Sequence, residues 1–499
     1  MEIPELTIKE ITGAFETGSL TSASLCEAYL SRIQKLDTAG PMLRSVIEIN
    51  PDAIEIAEKL DNERALGKIR GPLHGVPILV KDSIDTGDRM MTTAGSVVMI
   101  GNYAERDAFT VAKLRQAGAV ILGKTNMSEW GYMRSTRACS GWSSRGGQVR
   151  NPYALDRSPS GSSSGSAVAV ASNFCAGALG AEVDGSIVRP SSINGIVGVK
   201  PTVGLLSRSG VIGVAEPQDT VGPMARSVED AAMLLSATAG PDPNDPATNT
   251  RSTRRNEDYC KGLSLDTLKG KRIGVARDCF GFHEGTDSVI EDAIKVLADL
   301  GAEIVDPVFG SFLPLFGETE AAFMAYQLKA SINRYLAEHP LAPVRDIHEL
   351  IEANRSQAKV VMPFFQQEFF EHAAASGNLD SSEYKTLANE CLRLSRRDGI
   401  DKVLKADSLS AIVAPTDGHP AWSTDPIVGD KIVGGCSTPP AMAGYPHVTV
   451  PAGYVNGLPV ALSFFGSAYS EAELLGFAYA FERATRIRVP PTYPATVTE

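Results

Sequence analysis

Val76-Pro77-Ile78-Leu79-Val80-Lys81-Asp82 is a continuous apolar run that stops on two charged residues. A run of this length without polar alternation reads as a strand buried on both faces, the pattern of a parallel sheet. Beyond it the period changes. Residues 111–117 predict a helix, and Ala119-Val120-Ile121-Leu122 predicts the next strand. Strand, helix and strand in that order make a βαβ unit with parallel strands and a right-handed crossover. Lys81 then stands at the carboxyl end of its strand, the edge where open α/β sheets bind ligands.

Further along, residues 272–276, a helix carrying Ile290, Ala293, Ile294 and Leu297, and residues 303–305 predict a second βαβ unit. Residues 409–413 resume the sheet. Residues 447–450 and 459–464 flank Asn456-Gly457, a strong hairpin signal, and antiparallel pairing there makes the sheet mixed. Helix starts are predicted at Ser24 with Glu27, Asp52 with Glu55, Ser227, and Ser470 with Glu473. Residues 241–270 are polar and read as a surface loop. From 310 to 405 no strand signal occurs, and the segment reads as a helical insertion. Its aromatics, Phe312, Phe316, Phe323, Phe364, Phe365 and Phe370 among them, fit a core more readily than a pocket, although an insertion beside a site commonly shapes the substrate cavity.

Between the two units lies Ser158-Pro-Ser-Gly-Ser-Ser-Ser-Gly-Ser-Ala167, followed by Glu182-Val-Asp-Gly-Ser-Ile-Val-Arg-Pro190. Turns so rich in glycine and serine leave backbone N–H groups uncovered, which suits an anion cradle or a nucleophile beside an oxyanion hole. A phosphate loop needs a lysine after its second glycine, and here Ser166 and Ala167 follow Gly165. The glycine spacing also fails the dinucleotide fingerprint. Acyl-transfer chemistry is the reading that remains favoured. Gly161-Ser162-Ser163-Ser164-Gly165 formally matches the nucleophile-elbow pattern, but a tract of this composition matches by chance.

A serine nucleophile needs a base. No histidine lies between residues 75 and 282, so a histidine base would have to be a distant one such as His74, His419 or His447. Lysine is the other candidate, and Lys81, Lys124 and Lys200 all end apolar runs. The pattern leaves the three open.

The 499 residues suffice for one large α/β domain or two to three smaller ones, with 43% hydrophobic and 21% charged residues as in an ordinary globular protein. A net charge of −12 without a long basic run argues against nucleic acid as a partner. The opening residues lack a signal-peptide profile, and residues 167–181 are too short to span a bilayer, so no membrane association and a cytoplasmic location are expected. Seven cysteines, scattered and never in Cys-x-x-Cys spacing, predict neither disulfides nor zinc, and no metal or cofactor is expected.

With these stretches in hand, the chain resembles the amidase signature family of serine hydrolases, in its peptide-amidase-like branch. The similarity rests on residues 73–82, Gly123-Lys124-Thr125-Asn126, Asn151-Pro152, residues 158–166, Asp184-Gly185-Ser186-Ile187, residues 198–202 and Asp219-Thr220-Val221-Gly222-Pro223. The resemblance implies one domain over 1–499, α/β, with a large mixed, twisted sheet covered by helices on both faces. It implies Ser186 as acyl-forming nucleophile, Ser162 after a cis peptide bond as proton relay, and neutral Lys81 as base. It places the oxyanion hole at the N–H groups of Val183, Asp184, Gly185 and Ser186. Lys124 and Lys200 are then structural, and Asp82 orients its neighbour.

Two departures from the family pattern stand out. Asp184 replaces the first of two glycines before the nucleophile, a feature of the peptide-amidase-like branch. Arginine follows the nucleophile at Arg189, one position later than usual, which leaves its pairing with Glu182 open. To act as base, Lys81 must fall from a pKa of about 10.4 to about 7–8, which burial can supply. The expected activity is hydrolysis of a small-molecule or peptide carboxamide by a monomer or homodimer. The alternatives are an amidotransferase component passing ammonia to a partner and an esterase or carbamate hydrolase. Acyl preference is expected to reside in residues 310–405 and in the loop Thr416–Trp422.

Overall fold

The computed structural model describes residues 4–250, 257–308 and 317–497, so Phe312 and Phe316 lie outside the described residues. In chain order the strands are β1 (Val46–Ile49), β2 (Pro77–Lys81), β3 (Val120–Thr125), β4 (Trp142–Ser143), β5 (Gly147–Gln148), β6 (Gly177–Glu182), β7 (Val197–Lys200), β8 (Thr220–Ala225), β9 (Arg272–Ala276), β10 (Glu303–Val308), β11 (Ala411–Pro415), β12 (His447–Val455) and β13 (Leu458–Phe465). All but β4 and β5 join in one eleven-stranded sheet ordered β1-β3-β2-β6-β8-β7-β12-β13-β11-β9-β10. Both expected βαβ units are present. β2 and β3 run parallel across the helix Phe109–Gln116, and β9 and β10 run parallel across Glu284–Asp299. The β12–β13 hairpin turns at Asn456 and Gly457, both with positive φ, and its antiparallel pairing makes the sheet mixed.

Two strands beside the site escape a reading by pattern. β6 is Gly-Ala-Leu-Gly-Ala-Glu, poor in the β-branched residues that mark strands. Its glycines answer to crowding: a Cβ on Gly180 would lie 2.8 Å from Met224 Sδ and 2.9 Å from Ser163 Oγ. In β8, a Cβ on Gly222 would lie 2.0 Å from the Val199 carbonyl. The small-residue run of 167–181 therefore divides into the helix Ser164–Ala171, a turn and β6.

The helix starts need correction. Thr21, not Ser24, caps Ser22–Ile33. Ser24 closes the box from the third position, while Asp61 accepts from the N–H groups of Ser22 and Ala23 at 2.9 and 3.0 Å. Asp52 precedes the helix Ala53–Ala65 but makes no cap bond, its carboxylate being held by Arg89. Ser470 donates to Ser467 O at 2.8 Å instead of capping Glu471–Thr485. Ser227 caps Val228–Thr238 as expected.

From 317 to 406 the chain is helical, beginning with the long helix Gly317–Glu338. Phe323, Leu328, Ile332 and Phe370 are buried there in a cluster with Met127, Trp130, Val183 and Val214 of the sheet-bearing part. Phe365 is buried against Trp142, whereas Phe364 is exposed. For Phe323, Phe365 and Phe370 the core reading holds.

Candidate active site

β2 and β6 are parallel neighbours, with Val80 opposite Leu179, so Lys81 reaches the carboxyl edge of the sheet one register step short of Ala181. Lys81 is only 2% exposed. Its Nζ lies 2.7 Å from Ser162 Oγ and 2.8 Å from the Ala181 carbonyl. Burial of the ammonium pulls its pKa down to about 7, although Glu182 and Asp219 pull it back upward. A neutral amine has two N–H groups and one lone pair. Donating to Ala181 O leaves the lone pair able to accept the Ser162 hydroxyl proton.

Ser162 follows a cis Gly161–Ser162 peptide bond and stands one residue before Ser163, the N-cap position of the helix Ser164–Ala171. Only glycine fits before it, since a Cβ on Gly161 would lie 2.2 Å from Ser128 Oγ. Ser128 N–H donates to the Ser162 carbonyl at 3.1 Å and fixes the turn from outside. Ser163 brackets the Ala181 peptide, donating to its carbonyl at 3.1 Å and accepting from its N–H at 3.2 Å.

Ser186 comes from the loop beyond β6. The buried Glu182 carboxylate organises this loop by accepting from the N–H groups of Gly185 (2.9 Å), Ile187 (2.6 Å) and Val188 (3.1 Å). Of the four N–H groups expected to form the oxyanion hole, Gly185 is thus engaged by Glu182. Those of Val183, Asp184 and Ser186 have no acceptor among the described residues. Arg189 does not pair with Glu182. It reaches Asp417 at 3.3 Å, Ser437 Oγ at 3.2 Å and the Gly434 carbonyl at 3.1 Å. One extra residue after the nucleophile turns it away from the carboxylate that backbone donors already occupy.

Lys81, Ser162 and Ser186 line one cavity of about 40 Å³. Met127, Trp130, Val214 and Leu328 supply apolar wall, and Arg208, Glu216 and Arg334 stand among its charged lining residues. None of Thr416–Trp422 lines this cavity. Sequence reasoning gave Trp130 no role in the site, because it sits within the short irregular turn Glu129–Tyr132, where no periodicity marks it. Asp219 appeared only within a motif; it accepts the Val214 N–H on both oxygens, at 3.1 and 2.9 Å, and lines the cavity.

The remaining lysines and histidines lie elsewhere. Lys124 donates to Thr92 Oγ1 at 3.0 Å and to the Ile84 carbonyl. Lys200 donates to the Pro201 carbonyl at 3.2 Å. Burial lowers both pKa values, Lys200 to about 8, so titration does not separate the three. Contact does: of the three ammonium groups, only that of Lys81 touches a serine. His74 bonds the Leu60 carbonyl, His419 the Pro420 carbonyl, and His447 the Ser463 hydroxyl, with burial driving the His447 pKa to about 3. Asp82 does not orient Lys81 directly. Its carboxylate accepts from Gly95 N–H at 3.0 Å and Thr93 Oγ1, holding the turn that places Ala94 on the cavity wall. Among the described residues no group of three or more His, Cys, Asp or Glu is arranged to hold a metal, and no helix is long and apolar enough to cross a membrane.

The profile of the amidase family matches residues 24–475. The probable amidase of Arabidopsis thaliana is 42% identical over 503 residues, covering 99% of this chain and 92% of that protein. The solved peptide amidase from Stenotrophomonas maltophilia is 46% identical, with a TM-score of 0.93 over 98% of this chain and 99% of that one. A glutamyl-tRNA(Gln) amidotransferase component of Symbiobacterium thermophilum is 36% identical over 96% of this chain and 97% of that protein.

Proposed function

The chain belongs to the amidase family and is a hydrolase of amide C–N bonds, and from that premise we propose that it works through an acyl-enzyme on Ser186, with Ser162 and Lys81 moving the proton. The observation that carries this reading is the 2.7 Å contact between Ser162 Oγ and a buried lysine whose pKa falls to about 7.

Ser186 Oγ attacks the carboxamide carbon and forms a C–O bond. Its proton passes to Ser162 as the Ser162 proton passes to Lys81 Nζ. The oxyanion so formed is held by N–H groups of Val183, Asp184 and Ser186, which add to binding only as charge develops. Collapse of the intermediate breaks the C–N bond, and the proton returns through Ser162 to the departing ammonia or amine. Water, deprotonated along the same path, then cleaves the ester and restores Ser186. The likeness to a peptide amidase supports peptide amides as the substrate class. Leu328 and Arg334 in the cavity wall support a role for the 317–406 helices in shaping it.

Ammonia release from a panel of peptide, aliphatic and aryl amides, measured on the purified chain alone, tests this reading. Turnover of peptide amides without a partner is expected. Release only in the presence of an aminoacyl-tRNA and companion proteins would instead make the chain part of an amidotransferase.

A further inference from the structure

The catalytic cavity and a much larger groove of about 530 Å³ share four lining residues, Arg208, Val211, Glu216 and Arg334. A water needs about 10–15 Å³ of such volume, so the 40 Å³ cavity holds little beyond a carboxamide and its nearest atoms. A longer substrate needs space beyond it, and the four shared residues make the groove the adjoining space. The groove it would enter lies between residues 102–112 and 331–341.

That groove carries seven carboxylate residues against three arginines. Its arginines at the mouth are already spent: Arg208 is gripped by Asp245 and Arg334 by Glu216. Of the acids, Asp85 is bound by His339 and Tyr335, and Asp107 by Arg115. Glu105 and Glu338 are exposed and belong to no ion pair among the described residues, with Arg106 the one unspent arginine of the groove. The outer groove therefore presents negative charge with little to offset it.

We propose that this groove binds the part of a peptide amide on the N-terminal side of the scissile carboxamide, and that Glu105 and Glu338 select an ammonium or guanidinium there. The inference rests on the Ser186 reading above. At about 3.5 Å per residue, the residue preceding the amidated one is the first to stand a full residue length back from the scissile carboxamide, and its side chain carries the cation. Its cation meets the carboxylates equally in ground and transition states, so the effect falls on KM rather than kcat.

The test compares kcat/KM for acetyl-Lys-Leu-amide, acetyl-Gln-Leu-amide and acetyl-Glu-Leu-amide, with unacetylated Gln-Leu-amide as the arm that places the cation on the N-terminus. The expected order is Lys above Gln above Glu, with about tenfold between the extremes at low salt, shrinking as ionic strength rises. Stimulation by the free N-terminus alone would assign the cation to the α-amine and support the same site. In the double variant Glu105→Gln, Glu338→Gln, the Lys-to-Glu ratio should fall toward one. Because the ratio is read on one protein, partial misfolding does not mimic this result. Equal rates for all peptides, a preference for Glu, or a ratio unchanged in the double variant would overturn the inference. Absence of turnover of any amide would overturn the Ser186 reading itself.

Discussion

Ser163 donates its N–H to the Ser186 carbonyl at 3.0 Å while its hydroxyl brackets the Ala181 peptide, so the serine turn and the strand-end loop are held as one unit. The same Ala181 carbonyl receives Lys81 Nζ. Replacing Ser163 by Ala leaves buried groups of Ala181 short of a partner. A loss of about 1–3 kcal/mol in stability is expected, together with a fall in kcat as Lys81 loses its fixed position. Denaturant melts and initial rates check both, and full activity at unchanged stability would show that the bracket is idle.

Ser186→Ala should abolish acyl-enzyme formation and leave the fold intact, because only the nucleophilic oxygen is removed. A fluorophosphonate probe should label the wild type and spare the variant. Retained activity, with labelling at another serine, would move the nucleophile elsewhere.

For Lys81, kcat/KM should rise with pH along a limb centred near 7. Lys81→Ala should remove most activity and flatten that limb, and Lys81→Arg should not rescue it, since guanidinium stays charged. Lys124→Ala should keep the limb. Loss of the limb in His74, His419 or His447 variants, with Lys81→Ala retaining it, would make a histidine the base.

The same lysine predicts a stability profile. Its pKa falls from 10.5 in the open chain to about 7 on folding. Between those values the unfolded chain binds the extra proton, so this group makes stability rise with pH across that window. Below it the cost is on the order of 5 kcal/mol. Lys81→Met should therefore be inactive yet more stable than wild type at neutral pH, with a shallower rise toward pH 10. Calorimetry at pH 7 and pH 10 decides it.

Glu182 raises the Lys81 pKa through its charge and accepts three N–H groups of the nucleophile loop. Glu182→Gln should shift the basic limb to lower pH and reduce kcat as the loop loosens. A limb displaced upward would contradict the sign of that interaction.

The parts of the fold legible in the sequence are those where side chains had to be large and apolar. β2, β3, β9 and β11 read plainly for that reason. β6 and β8 did not, because close neighbours force glycine at Gly180 and Gly222 and erase the strand signature. Of the site, Ser162, Ser186 and Lys81 entered through resemblance to a family, since three lysines fit the local pattern equally well. What singled out Lys81 is a contact between residues 81 positions apart, which no local spacing encodes. Leu328 and Arg334 were beyond reach for the same reason: their place in the cavity wall depends on how the long helix Gly317–Glu338 lies over the sheet.

Lys81 and the loop bearing Ser186 are rooted in β2 and β6, interior strands with neighbours on both sides, whereas Leu328 and Arg334 belong to a helix outside the sheet. Amide hydrogens of β2 and β6 should be among the slowest to exchange, and those of Gly317–Glu338 should exchange earlier through partial openings. Warming would then release the wall of the cavity before it disturbs the nucleophile and its base. Discrimination among substrates would decay at a lower temperature than hydrolysis itself.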